Sequence, residues 1–185
     1  NRSAAPAPAP LPVYQRQFFR ENVAGASVLD PASAGKTVHE DASMRLWTLD
    51  DEVLIASIKT KVHAIDQGVI EGLQRGIALA EGGYKGLVIW SADDPFSYGA
   101  DLQAMLPEFM KGGSKAMRYA NVPTVAAVRG MALGGGCEIA VACAKRVAAM
   151  ESYIGLVEVG VGLIPGGGGL TYIARRAAEM AAAGN

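Results

Sequence analysis

Residues Gly134-Gly135-Gly136-Cys137-Glu138 stand between a hydrophobic, strand-like run and an alanine-rich, helix-like run. Three consecutive glycines leave bare backbone N–H groups where a helix is about to begin, and a ligand oxygen can approach them without meeting a Cβ. A strand that passes into a helix through such a joint belongs to an α/β architecture. One helical turn on, Glu138 lies near the same face as Gly134 and Gly135. The segment therefore offers donors for a developing oxyanion beside an acid/base group.

The surrounding pattern agrees with that class. Met44 to Leu49 and Val53 to Ile58 read as two short strands joined by a turn at Asp50-Asp51. Asp66 reads as a helix cap followed by Ile70, Leu73 and Ile77 at helical spacing, and Gly82-Gly83 ends that helix. Gly86 to Trp90 is an apolar strand. Leu102, Met105, Leu106 and Phe109 form an apolar stripe on a helix capped by Asp101. Pro123 to Val128 and Arg146 to Met150 are further strands, and Val161 to Ile164 leads into Pro165-Gly166-Gly167-Gly168-Gly169. Strands alternating with helices predict an α/β fold with largely parallel pairing.

The front of the chain differs. Ala4-Ala5-Pro6-Ala7-Pro8-Ala9-Pro10-Leu11-Pro12 has the composition of an extended, semi-rigid linker or a mobile tail. Phe18, Phe19 and Arg20 suit an anchoring arm, with turns at Asp30-Pro31 and Gly35. The division expected is a linker and arm over 1–42 and a catalytic core over 43–185.

Composition removes several functions. Half the 185 residues are hydrophobic and the formal net charge is −1, so no basic footprint for nucleic acid is present. No apolar stretch reaches the roughly 18 residues of a membrane span. Cys137 and Cys143, six positions apart, suit neither a disulfide nor a zinc knuckle, which points to reduced thiols, a cytoplasmic location and no metal. A phosphate loop needs Gly-Lys-Ser/Thr after its glycines, and neither Gly136-Cys137-Glu138 nor Gly169-Leu170-Thr171 supplies the lysine. A dinucleotide fingerprint fails at the third glycine. Either glycine run alone could merely allow close helix–strand packing; the two together, with the residues between them, say more.

Asn121 to Glu138, reading NVPTVAAVRGMALGGGCE, resembles the signature of the crotonase superfamily, the enoyl-CoA hydratase/isomerase family. Upstream, Phe96-Ser97-Tyr98-Gly99-Ala100-Asp101-Leu102 is similar to that family's first oxyanion segment. Downstream, Leu156 to Gly169 resembles its second acidic segment and the glycine turn after it. The three motifs keep the family's order and spacing, and the resemblance runs from about Ser43 to the C-terminus.

The resemblance implies a crotonase-like fold, a ββα superhelix lacking most of the usual C-terminal helical region. It implies that the N–H groups of Ala100 and Gly135 receive the oxyanion of an acyl-CoA thioester, and that Glu138 and Glu158 hold water and move protons. Having both glutamates favours hydration over isomerisation. Read on its residues alone, Glu158 lies in an almost uninterrupted apolar and glycine stretch from Ile154 to Leu170, where an idle charge is costly to bury. Two buried carboxylates side by side should raise the pKa of one. Lys61, His63, Ala64, Tyr98, Gly99 and Asp101 fall where relatives hold the CoA thioester. His63 stands where an asparagine is usual, and Tyr98 where a small residue is usual. Read singly, His39 and His63 are surface or turn residues, Asp101 is a helix cap, and Met105, Met110 and Met117 pack helices or line a pocket.

The expected activity is hydration of 2-enoyl-CoA to 3-hydroxyacyl-CoA in fatty-acid β-oxidation, with no cofactor for that step. The linker and the short C-terminal end lead to the expectation of a module from a multifunctional protein, where NAD would serve a fused 3-hydroxyacyl-CoA dehydrogenase. Homo-oligomerisation is the other association expected. The rival readings are an isomerase of the same family and a silent acyl-CoA binding or assembly domain.

Overall fold

The computed structural model describes residues 35–101 and 113–184. Six strands form the main sheet: β1 (Lys36–Glu40), β2 (Met44–Thr48), β3 (Leu54–Ile58), β4 (Leu87–Trp90), β5 (Thr124–Val128) and β7 (Lys145–Ala148), side by side in that order. A second sheet pairs only β6 (Met131–Leu133) with β8 (Tyr153–Gly155), in parallel. The helices are α1 (Gln67–Gly83), α2 (Gly113–Arg118), α3 (Gly135–Ala142) and α4 (Gly169–Ala182).

Pairing in the main sheet is mixed. β1–β2–β3 is an antiparallel meander, and β3–β4, β4–β5 and β5–β7 are parallel. The expected hairpin across Asp50-Asp51 is the β2–β3 turn. β1 lies inside the segment read as an arm ending at residue 42, and it pairs with β2 through an irregularity between Thr37 and His39. As a mostly exposed edge strand it carries no buried face that would mark it in the sequence.

β2 is buried along its whole length; α1 packs against one face, and β1 and β3 pair with its two edges. Its polar positions are partnered: the Arg45 Nε donates to Thr37 Oγ1 at 2.8 Å, and the Trp47 Nε1 donates to Ser57 Oγ at 3.0 Å. In α1, Val69, Leu73, Ile77 and Ala80 repeat at helical spacing and are buried against the sheet. Burying each larger side chain contributes about 1.5–3 kcal/mol. The Asp66 carboxylate caps this helix by accepting from Val69 N at 2.8 Å, and it also accepts from Ser43 Oγ at 2.9 Å.

Four expectations change on the structure. The last strand of the main sheet is Lys145–Ala148, not Arg146 to Met150. Cys143 is the C-cap of α3 rather than a helical residue. The stretch after Leu156 is a short 3₁₀ turn, Glu158–Val161, followed by irregular chain, and it is largely exposed. Its apolar side chains therefore do not bury Glu158 in the way the sequence suggests. Finally, α4 follows the last glycine turn as a fourteen-residue helix that the sequence reading did not assign. The linker of residues 4–12, Phe18, Phe19, Arg20 and Asp30-Pro31 lie outside the described residues. So do Leu102, Met105, Leu106, Phe109 and Met110, and with them the helix expected after Asp101. Met117 is buried in the core.

Candidate active site

The site assembles where β6 hands over to α3. Ser97 N donates to Met131 O at 3.0 Å and Leu133 N donates to Ser97 O at 2.9 Å, so the segment 97–101 is stitched alongside β6. On its other side the same segment meets the turn at 60–65. Ile65 N donates to Gly99 O at 2.8 Å, and Asp101 N donates to Ile65 O at 3.0 Å.

These bonds aim two N–H groups. In a trans peptide the C=O and the following N–H point in opposite directions. Gly99 O is taken by Ile65, so the Ala100 N–H points away from that turn. Gly134 O accepts from Glu138 N at 3.0 Å in the first turn of α3, so the Gly135 N–H points out of the helix N-terminus. A Cβ on Gly135 would lie 3.4 Å from the Ala100 nitrogen, and one on Gly99 would lie 3.0 Å from the Gly135 nitrogen. The two donors are thus side by side, and among the described residues neither is engaged. The positive end of α3 adds to the attraction for an anion.

Glycine is required at two of these positions by backbone shape. Gly134 has φ 52° and ψ −119°, a conformation that side-chain-bearing residues avoid. Gly99 has φ 91°, and a Cβ there would stand 2.6 Å from Leu133 O.

Both glutamates flank the donors. Glu138, in the first turn of α3, is only 3% exposed. The glycine turn wraps its carboxylate: Gly169 N donates to Oε1 at 3.0 Å, and the Gly167 backbone bonds it as well. Burial pushes the Glu138 pKa above the usual carboxylate range, and the charge of Glu158 pushes the same way, against the lowering effect of those backbone donors. Glu158 reaches over Gly134, its Oε1 3.1 Å from where a Cβ on that glycine would sit. Its Oε2 accepts from Val157 N at 2.9 Å. Oε1 is buried and, among the described residues, has no hydrogen-bond partner. The two carboxylates also converge on Cys137, whose thiol is pushed up to about 11 by burial and then by their charges. Cys143 is likewise pushed up to about 11 by burial. Both cysteines are free and buried.

The remaining residues form the rim. Ala64 N donates to Lys61 O at 3.1 Å, and the Thr60 hydroxyl donates to Ala64 O at 2.6 Å, which closes the turn and leaves the Lys61 side chain exposed. The His63 Nδ1 bonds Pro95 O at 2.6 Å. A carbonyl only accepts, so this ring nitrogen carries the proton and His63 fastens the turn to the 95–101 segment. His39 pairs with Asp41 at the exposed end of β1 and, among the described residues, forms no hydrogen bond with the 60–65 turn or the 97–101 segment. The Tyr98 side chain is exposed, while its N–H donates to Val62 O at 3.3 Å. Asp101 contributes its backbone to the Ile65 bridge. A cavity of about 230 Å³, lined in part by Glu138, Gly167, Tyr119 and Tyr172, opens on the Glu138 side of α3.

The structure thus brings Ala100, Gly135, Glu138 and Glu158 together and sets Lys61, His63, Ala64, Tyr98, Gly99 and Asp101 on the adjoining turn and segment. Two features escaped the sequence reading. One is the wrapping of Glu138 by Gly167 and Gly169, which needed only the idea that a glycine turn can serve a carboxylate of its own chain. The other is the Ser97 side chain, marked by a small hydroxyl residue two positions before a glycine. Among the described residues, no three His, Cys, Asp or Glu side chains gather as a metal site, and no helix is long and apolar enough to cross a membrane.

The family model described as enoyl-CoA hydratase/isomerase matches residues 53–184. A probable 3-hydroxyacyl-CoA dehydrogenase of Bacillus subtilis is 36% identical over 71% of this chain and 18% of its own. A putative fatty acid oxidation complex trifunctional enzyme of Rickettsia prowazekii is 37% identical over 68% of this chain and 19% of its own. The chain therefore spans about a fifth of the length of such relatives. Among solved structures, an enoyl-CoA hydratase of Mycobacterium tuberculosis superimposes with a TM-score of 0.65 at 30% identity, over 74% of this chain and 57% of that one. With the fold, the motifs and the family model in agreement over most of its length, the chain belongs to the enoyl-CoA hydratase/isomerase family.

Proposed function

We propose that this domain adds water to 2-enoyl-CoA thioesters to give 3-hydroxyacyl-CoA. The observation that carries the reading is the convergence of the Ala100 and Gly135 N–H groups beside two carboxylates. Water oxygen bonds to the β-carbon, the π electrons move toward the thioester, and negative charge grows on its oxygen. Two preorganised donors stabilise that charge where it develops, each by about 2.7–4 kcal/mol. A proton then passes to the α-carbon and the enolate collapses. Glu158, with Oε1 unpartnered, suits the acceptor of the water proton. Glu138, whose raised pKa favours the protonated form, suits the donor.

No cofactor enters these steps; coenzyme A arrives as part of the substrate. Lys61 and the 60–65 turn stand ready for the CoA moiety at the rim. The names of the longer relatives support a place in fatty-acid oxidation and fusion to a 3-hydroxyacyl-CoA dehydrogenase, which would consume the product; NAD would serve that dehydrogenase in the same reading. Homo-oligomerisation belongs to the same reading, and two free thiols are in keeping with a cytoplasmic location.

Hydration of crotonyl-CoA, followed as loss of the enoyl absorbance, tests the proposal. Glu138→Gln and Glu158→Gln should each lower kcat by about 10²–10⁴-fold. An isomerase working through Glu158 alone would keep much of its rate in Glu138→Gln. A silent binding domain would hold the thioester without turnover.

A further inference from the structure

We propose that Ser97 is a positioning residue for the thioester-oxyanion donors, its hydroxyl locking the peptide that precedes the Ala100 N–H. The proposal rests on the hydratase reading. Ser97 is completely buried. Its Oγ donates to His63 O at 2.6 Å and accepts from Gly99 N at 3.0 Å. The hydroxyl's single proton is thus committed to His63, and a lone pair is committed to Gly99. The backbone of the same residue bonds both Met131 and Leu133 on the strand that leads to Gly135. A Cβ on Gly136 would fall 2.8 Å from the Ser97 Cβ, so the first turn of α3 rests directly on this side chain.

One buried serine therefore links the three pieces that build the donor pair: the 60–65 turn, the 97–101 segment and the β6–α3 joint. The mechanical weak point is Gly99. At φ 91° it has no Cβ to restrict it, so its flanking peptides keep their orientation through hydrogen bonds. The Gly99–Ala100 peptide is held by Ile65 N, and the Tyr98–Gly99 peptide is held by the Ser97 hydroxyl. Removing the hydroxyl leaves the His63 carbonyl and the Gly99 N–H without this partner and frees the Tyr98–Gly99 peptide to turn. A donor that wanders loses more against the charge of the transition state than against the neutral carbonyl of bound substrate.

The test uses the full-length protein with Ser97→Ala and Ser97→Cys. Crotonyl-CoA kinetics are read alongside the absorption of a bound CoA thioester of a push–pull cinnamic acid, whose band moves to longer wavelength as its carbonyl is polarised. Ser97→Ala should lower kcat about tenfold, the worth of one good hydrogen bond, with KM changed less than about twofold. It should also shrink the red shift. Ser97→Cys, a similar shape with a weaker donor, should fall between wild type and Ser97→Ala in both readouts. A lower Tm with kcat and red shift unchanged in Ser97→Ala would overturn the proposal and leave the hydratase reading standing. If Ser97→Ala does not fold, Ser97→Cys decides: intermediate values support the proposal and wild-type values overturn it. Wild-type protein with neither turnover nor red shift would remove both readings.

Discussion

At Glu138 a carboxylate is held where its charged form is disfavoured. The folded pKa lies above the ordinary carboxylate value because burial outweighs the two backbone donors, and Glu158 adds to the shift. Between the unfolded value near 4.5 and the raised folded value, the folded chain therefore binds more protons than the unfolded chain. Stability that is fully present below the unfolded pKa is lost as pH rises through the folded one. Replacing the residue by Gln keeps the shape and removes the titration. The Tm of Glu138→Gln relative to wild type should accordingly rise as pH is taken upward from about 4.5 and level off above the raised value. A thermal scan of both proteins across that range checks it; a difference that does not vary with pH would contradict the assignment. The same substitution abolishes the proposed proton donor, so this position places function and stability in opposition.

The Asp66 cap shows how the longest helix is set against the sheet. Its carboxylate accepts from Val69 N and from Ser43 Oγ, which ties the start of α1 to the residue just before β2. Asp66→Ala should cost about 1–2 kcal/mol, read from urea unfolding, with Asp66→Asn recovering most of it. The cap, the helix after it and the strands at 44–58, 87–90 and 124–128 were legible because their signals are local: a capping side chain, a helical stripe, or an apolar run between turn residues. The glycine run and Glu138 were legible as donors beside an acid/base group, while the pairing of Ala100 with Gly135 and the role of Glu158 came by resemblance on three motifs, and the fold brings all four into one place. β6 and β8 were not legible, since three residues each become strands only by pairing with one another from twenty-odd positions apart. β1 carries charged ends and an exposed face, and its pairing depends on a neighbour it meets only after folding. The exposure of Glu158's surroundings is not legible for a related reason: an apolar composition says what a segment tends toward, whereas cover has to come from elsewhere in space.

Over the whole described molecule, polar cover is uneven. The main sheet and α1 enclose a continuous core, while the chain from Val157 onward displays Val159 at 80% exposure, Ile164 at 81%, and Val161, Leu163, Leu170 and Ile173 beside them in sequence. Apolar surface of that extent binds other apolar surface. The 185-residue chain alone should bind an environment-sensitive apolar dye, and Val159→Ser with Ile164→Ser should reduce the fluorescence at unchanged far-ultraviolet circular dichroism. Dye binding that ignores both changes would place the sticky surface elsewhere. The donor pair has a consequence of another kind. The atoms proposed to meet the oxyanion belong to the main chain at positions 100 and 135, so exchange of the Ala100 side chain leaves its nitrogen and hydrogen in place. A scan of single substitutions across this protein should flag the two glutamates and the crowded glycines, yet pass over Ala100 as silent. The gene can misplace these two hydrogens, but no single-residue replacement, proline apart, can remove one.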